Sequence, residues 1–272
     1  MRKPGYKGFA ALGIAILISF FMAGTALAGL SVKPTVIEKV LNPGDTEEGI
    51  YEITNMGEAK IEVTIQVEDW MERLFGKKDA LEVGRWLTVE PNAVVLEPGQ
   101  VAELKYKVTA PAAKDFTNEK VAQVFFTYSE NMNLTSRLGV IFYLSPKKTA
   151  VMKASITQFL AQPDFKEGKD PSLLSYMTIQ NDSNVHIRPR GVVTLLDQSG
   201  TPVRELLVDT VPGIYPGKSF TWNHHNDVKD LPYGVYKAKL ALDYGYLYEQ
   251  EAVMEATADL KWEKPEQENK TT

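Results

Sequence analysis

Cysteine is absent from all 272 residues. That excludes disulfides, thiolate metal sites, a Cys–His catalytic pair and acylation of a thiol after a leader peptide. The folded part must therefore be held by its apolar cores alone, which suits domains of about a hundred residues or more. Histidine is scarce, with only His186, His224 and His225. There is no GxSxG nucleophile motif and no glycine-rich loop of the kind that cradles phosphates. Beyond residue 28 no run is apolar enough to cross a bilayer, which takes about 20 residues. Helical periodicity is almost missing too.

What is present begins with an export signal. Arg2, Lys3 and Lys7 make a positive start, Phe9 to Met22 is mostly apolar, and Ala26-Leu27-Ala28 gives a small-x-small cleavage pattern. Residues 1–28 read as a signal peptide cut before Gly29. Removing its three positive charges takes the formal charge from −5 to −8. An acidic chain of this kind is poorly suited to nucleic acid or to anionic membrane surfaces. The expected product is periplasmic or otherwise extracytoplasmic, without a membrane span.

Alternation with a period of two dominates the rest. Ile61, Val63, Ile65 and Val67 alternate with polar residues, as do Ala102, Leu104, Tyr106 and Val108. Tyr236 to Leu242 and Met254 to Trp262 repeat the pattern. Successive strand side chains point to opposite faces, so each run predicts a strand with one buried face. Pro43-Gly44, Pro98-Gly99 and Pro216-Gly217 punctuate these runs as turns, with Asn55-Met56-Gly57, Ser199-Gly200 and Pro232-Tyr233-Gly234 marking others. The expected fold is all-β, with two immunoglobulin-like β-sandwiches in tandem. The boundaries read as 29–148 and 149–262, with a polar, disordered tail over 263–272. Trp70 to Trp86 breaks the pattern and predicts a short helix or an extended loop.

Candidate chemistry is thin. Trp222 to Asp227 contains His224 and His225, but neighbours on a strand face opposite ways, so a polar loop is the simpler reading than a metal site. Glu47-Glu48 and Asp69 with Glu72 read as solvated turn residues. Phe125-Phe126-Thr127-Tyr128 and Ile141-Phe142-Tyr143 read as central-strand core. Tyr244-Gly245-Tyr246-Leu247-Tyr248 could present tyrosines to a partner at a hairpin. No cofactor, metal or catalytic set is expected.

Three segments carry a resemblance: LEPGQVAELKYKVTAP (96–111), NEKVAQVFFTYSE (118–130) and IFYLSP (141–146). Residues 30–150 resemble the first domain of PapD-like periplasmic pilus chaperones. The resemblance implies a two-domain immunoglobulin-like fold and a last strand donated to a pilus subunit by β-augmentation. It also implies two basic residues holding the subunit's C-terminal carboxylate. Val140 stands at one of those basic positions, the other falls near Val36, and the donor stretch carries the polar Asn131, Asn133 and Thr135. A second resemblance rests on 41–57, 67–70, 181–200 and 231–245. It is to the paired domains of WxL-interacting cell-surface proteins, without their membrane anchor, and implies binding to peptidoglycan or a host surface.

These readings predict a non-catalytic exported protein-binding protein, chaperone-like, that helps assemble pili or other surface structures. Its partner would be a secreted surface subunit. The expected contact strip is Arg137, Leu138, Val140 and Phe142, with the last three on one face of a strand that is otherwise simply core. The alternatives are a cell-envelope adhesin or peptidoglycan-binding module, and an enzyme using His224 and Asp227.

Overall fold

The computed structural model describes residues 29–263 apart from 77–80, 132–133, 167 and 209–210. The leader expected over 1–28, Asn133 and the tail beyond Glu263 lie outside the described residues. The first unit is built from β1 (Leu30–Lys33), β2 (Val36–Leu41), β3 (Thr46–Asn55), β4 (Ile61–Asp69) and the short helix α1 (Met71–Phe75). It continues through β5 (Leu87–Glu90), β6 (Ala93–Leu96), β7 (Val101–Thr109), β8 (Lys120–Asn131) and β9 (Leu134–Pro146). One sheet has the order β1-β3-β7-β5 and the facing sheet β2-β9-β8-β4-β6. All pairings are antiparallel except β2 with β9. Tyr51, Leu104, Phe116, Phe126, Val140 and Phe142 fill the space between the sheets, each 1% exposed or less.

The second unit follows with β10 (Ala154–Asp164), β11 (Ser172–Asn181), β12 (Arg190–Leu196), β13 (Pro202–Val208), β14 (Ser219–Asp227), β15 (Gly234–Asp243) and β16 (Val253–Trp262). Its sheets are β10-β11-β14 and β13-β12-β15-β16. Met177, Ile179, Leu195, Leu240 and Trp262 are among its core. The chain is thus all-β, with two immunoglobulin-like sandwiches in tandem. The four alternating runs seen in sequence fall in β4, β7, β15 and β16, and each buries its apolar side.

The two units share a corner device. Asn55 ends β3 and Asn181 ends β11, and both are buried. Asn55 donates from Nδ2 to the carbonyls of Ala59 and Leu96, and its Oδ1 accepts from Gly57 N–H. Asn181 does the same with Val185, Ile214 and Ser183. Each asparagine backbone also pairs with a Pro-Gly turn: Gly99 N–H donates to the Asn55 carbonyl and Gly217 N–H to that of Asn181. Both glycines are left-handed, at φ +72° and +70°, where a β-carbon would be strained. A buried amide that satisfies three backbone groups at once ties a strand end to its turn.

Three sequence expectations are corrected. His224 and His225 lie on β14 and not in a loop. Phe125 is not core like Phe126 and Tyr128: it faces the other side of its sheet, covered edge-on by Trp70 and by the Arg137 guanidinium 3.4 Å from its ring centroid. Of the 244–248 tyrosines, Tyr244 and Tyr248 are buried. The Trp70 to Trp86 stretch holds α1 and a 3-10 turn at Val83–Arg85.

Candidate functional site

The sheet containing β9 turns one face to the first core and the other toward the second sandwich. Tyr143 and Ser145 of β9 point to that outer face and are buried there. What covers them is the segment leading from β11 to β12, together with the 3-10 turn at Tyr246–Tyr248. Val185 and Ile187 of the covering segment are fully buried. His186 lies between them and reaches into the first domain.

There it meets an ionic cluster. His186 Nδ1 lies 2.5 Å from Oε1 of Glu119, and Nε2 lies 2.8 Å from Oε1 of Glu38 on β2. Glu119 also accepts from the His186 backbone N–H and from the Ser145 hydroxyl. Arg188 Nε donates to the same Glu38 oxygen. Tyr143 stacks on the imidazole with centroids 4.1 Å apart, and Tyr248 Oη donates to the His186 carbonyl. His186 and Glu119 are only 1% and 3% exposed. A carboxylate accepts only, so an imidazole between two of them must donate from both nitrogens and be a cation. Two carboxylates against one imidazolium and one guanidinium leave the cluster neutral, which is what burial of such charges demands.

The protonation balance agrees. Burial alone would lower the His186 pKa, but the charge of Glu119 and hydrogen bonds to Glu119 and Glu38 outweigh it and raise it to about 9. Burial would raise Glu38, but its hydrogen bonds to His186 and Arg188 win and bring it down to about 2. Burial first, then the Tyr215 hydrogen bond, holds the Tyr143 phenol far above its usual range.

Other contacts staple the same joint. Asn184 donates from Nδ2 to the carbonyls of Thr117 and Thr149, while its Oδ1 accepts from Val151 N–H. Phe75 of α1 meets Tyr215 edge-on, and Tyr215 shares a 2.8 Å hydroxyl contact with Tyr143. Ala150, Val185 and Tyr248 form a small apolar cluster against Val40. Beside the joint, the second domain carries a hollow of about 630 Å³ lined by Arg188, Arg190, Val192, Leu207, Val211 and Tyr246.

Further along β9 the cover ends. β8 pairs with β9 from Leu134 to Leu144, but β2 pairs with it only from Ile141 to Pro146. Among the described residues no strand pairs with the other edge of Leu134–Val140, which leaves its outward N–H and C=O groups available for pairing. Thr135, Arg137 and Gly139 are exposed on the outer face of this segment, and Arg137 pairs with Glu68. Val140 and Phe142, named in the contact strip, are 0% exposed and point into the first core, with Leu138 partly buried against it. Val36 is exposed, opposite Ile141, where β2 begins.

His225 faces Asp164 at 3.4 Å, and His224 lies beside Asn226 and Trp222. Among the described residues no group of three His, Cys, Asp or Glu side chains converges as a metal site. No helix among them is long and apolar enough to cross a membrane. The joint residues Glu38, Glu119, His186 and Arg188 were not singled out from sequence. Their one local signal is a histidine set between two apolar residues, Val185 and Ile187, both buried.

No family model matches this chain, and no curated protein matches it. Among solved structures it is similar to the class 5 fimbriae chaperone CfaA, at 16% identity and a TM-score of 0.43 over 85% of this chain and 99% of that one. It is similar to the E. coli chaperone DraB, at 16% identity and a TM-score of 0.39 over 84% of this chain and 95% of that one. A third is the CsuC–CsuE chaperone–tip adhesion subunit pre-assembly complex from the archaic chaperone-usher Csu pili of Acinetobacter baumannii. There the identity is 11% and the TM-score 0.39, over 72% of this chain and 90% of that one.

Proposed function

We propose that this protein is an exported, non-catalytic assembly chaperone that holds an extended segment of a secreted surface subunit along the uncovered edge of β9. The observation that carries this reading is the edge itself. Among the described residues, the seven from Leu134 to Val140 are paired on one side only, in a strand that is paired on both sides from Ile141 to Leu144. At roughly 3.3 Å per residue that is room for a partner strand of about 20 Å. Such a strand would lie in line with β2, ending beside Val36 at the mouth of the joint. Neither Val36 nor Val140 offers a charge, so recognition rests on main-chain pairing and on the outer-face neighbours Thr135, Arg137 and Gly139.

Proline scanning tests this. Adjacent strand residues direct their N–H groups alternately to the two sides. Of the pair Ser136→Pro and Arg137→Pro, one variant removes a donor from the open edge and leaves the β8 ladder intact. The variant that keeps the wild-type stability is expected to lose capture of a strand-rich subunit from envelope extract. Undiminished capture by that variant contradicts the reading. Retention on purified peptidoglycan with no protein subunit would favour a wall-binding module instead.

A further inference from the structure

We propose that the proton on His186 is the latch of the interdomain joint, so that the two sandwiches hold one angle while the imidazole is charged and move independently once it is neutral. The geometry carries this. His186 reaches out of the second domain and bonds two carboxylates of the first, which approach from different places, Glu38 from β2 and Glu119 from the residue just before β8. A neutral imidazole has one N–H and one lone pair. Losing the proton therefore breaks one of the two cross-domain bonds and sets a lone pair against a carboxylate oxygen. It also leaves the cluster one charge negative in a buried place, where imbalance is costly.

The other groups facing His186 do not substitute for it. Arg188, on the same segment, is committed to Glu38 and stays charged, with a pKa raised further by that pairing against the pull of burial. Tyr143 from β9 and Tyr248 from the 3-10 turn are both held well above the ordinary phenol range, chiefly by burial. Tyr246 is raised as well, and Tyr215 bonds Tyr143 rather than the imidazole. Ser145 does not titrate. His186 is thus the group in the joint that changes charge first as the pH rises above neutral. The ties that do not involve the imidazole are those at Asn184, the exposed Lys147–Glu249 pair, the contacts of Tyr215 with Phe75 and Tyr143, and the apolar cluster of Val185 and Tyr248 against Val40. They would serve as a hinge once the cluster lets go.

The latch does not depend on the proposed function, and its test reads domain geometry rather than capture. Small-angle scattering of the full processed chain is recorded from pH 7 to 10, with the imidazole protonation of His186 followed by NMR on the same samples. The expected result is a change from a single rigid scattering profile to a broadened, more open one. Its midpoint should lie near pH 9 and coincide with the His186 titration, while the strand signal in circular dichroism stays constant. His186→Gln, which cannot donate to both carboxylates, should scatter as the open form already at pH 7. Glu119→Gln should move the wild-type midpoint down by a unit or more. A profile unchanged to pH 10, or a transition that follows phenolate absorbance instead of the imidazole signal, overturns the proposal. Should His186→Gln fail to fold, the wild-type titration alone decides.

Discussion

Replacing Asn181 by Ala removes an amide that ties three backbone groups at the end of β11. Two hydrogen bonds from Nδ2 are lost, at 2.9 Å to Val185 and 2.7 Å to Ile214, and one to Oδ1, at 2.8 Å from Ser183. The carbonyl of Ile214 still accepts from Ile187 N–H, so it is not stranded. The Val185 carbonyl and the Ser183 N–H are buried and lose that partner. A hydrogen bond is worth about 1 kcal/mol net, and stranding a buried partner costs about 1–3 kcal/mol. The sum points to a loss of about 3–4 kcal/mol from the second domain. Because this corner begins the segment that carries Asn184, His186 and Arg188, the joint should loosen along with it. Urea denaturation of the full chain, followed by Trp222 and Trp262 fluorescence, reads the loss. Asn181→Asp, with the same shape but no Nδ2 donors, should fall nearly as far. A loss below about 1 kcal/mol in both variants would refute the reasoning, since it would mean the corner holds without the amide.

Three further outcomes follow from the same physics. His186 has a folded pKa of about 9, above its ordinary value, so its contribution is fully present below about pH 6.5 and is lost as the pH rises through 9. At about 1.4 kcal/mol per unit this amounts to about 3 kcal/mol, and denaturation at pH 7 and pH 10 should show it in wild type and not in His186→Gln. Tyr51 is 0% exposed and its hydroxyl finds no hydrogen-bond partner among the described residues, so Tyr51→Phe should be neutral or raise stability by about 1 kcal/mol in a thermal melt. Phe142→Ala should cost about 3–5 kcal/mol, because Phe142 lies wholly within the first core against Trp86 and Tyr106; an unchanged melt would place it elsewhere.

The fold was legible wherever a strand keeps one clean apolar side. Runs such as Ile61–Val67 and Tyr236–Leu242 announce their burial residue by residue. β14 was not legible, because its inward side is Phe220, Trp222 and His224, only partly buried, and its outward side is wholly polar. β10 was blurred by a bulge between Ile156 and Gln158, which shifts the alternation by one residue. Trp70 illustrates a different limit: its place over Phe125 depends on the short helix that follows it, and composition alone does not say which face a loop will cover. The joint was invisible for a simpler reason. Glu38 and Glu119 lie 148 and 67 residues from His186, and no local pattern links them. The open edge was equally hidden, because it is defined by where β2 begins and not by anything in β9 itself. The expected contact strip, Arg137 to Phe142, lies on β9. Its apolar face is core, and what remains exposed is the backbone edge and the opposite face.

Hydrogen exchange along β9 tests the central claim most directly, measured on the purified chain alone and on the same chain recovered from envelope extract with the subunit it holds. The account predicts that alternate amides within Leu134–Val140 exchange fast in the free chain, while those of Ile141–Leu144 are slow. In the loaded chain the fast set should become protected, with β8 unchanged. Protection of the whole segment before loading, or new protection confined to the hollow around Arg190 and Leu207, would contradict it.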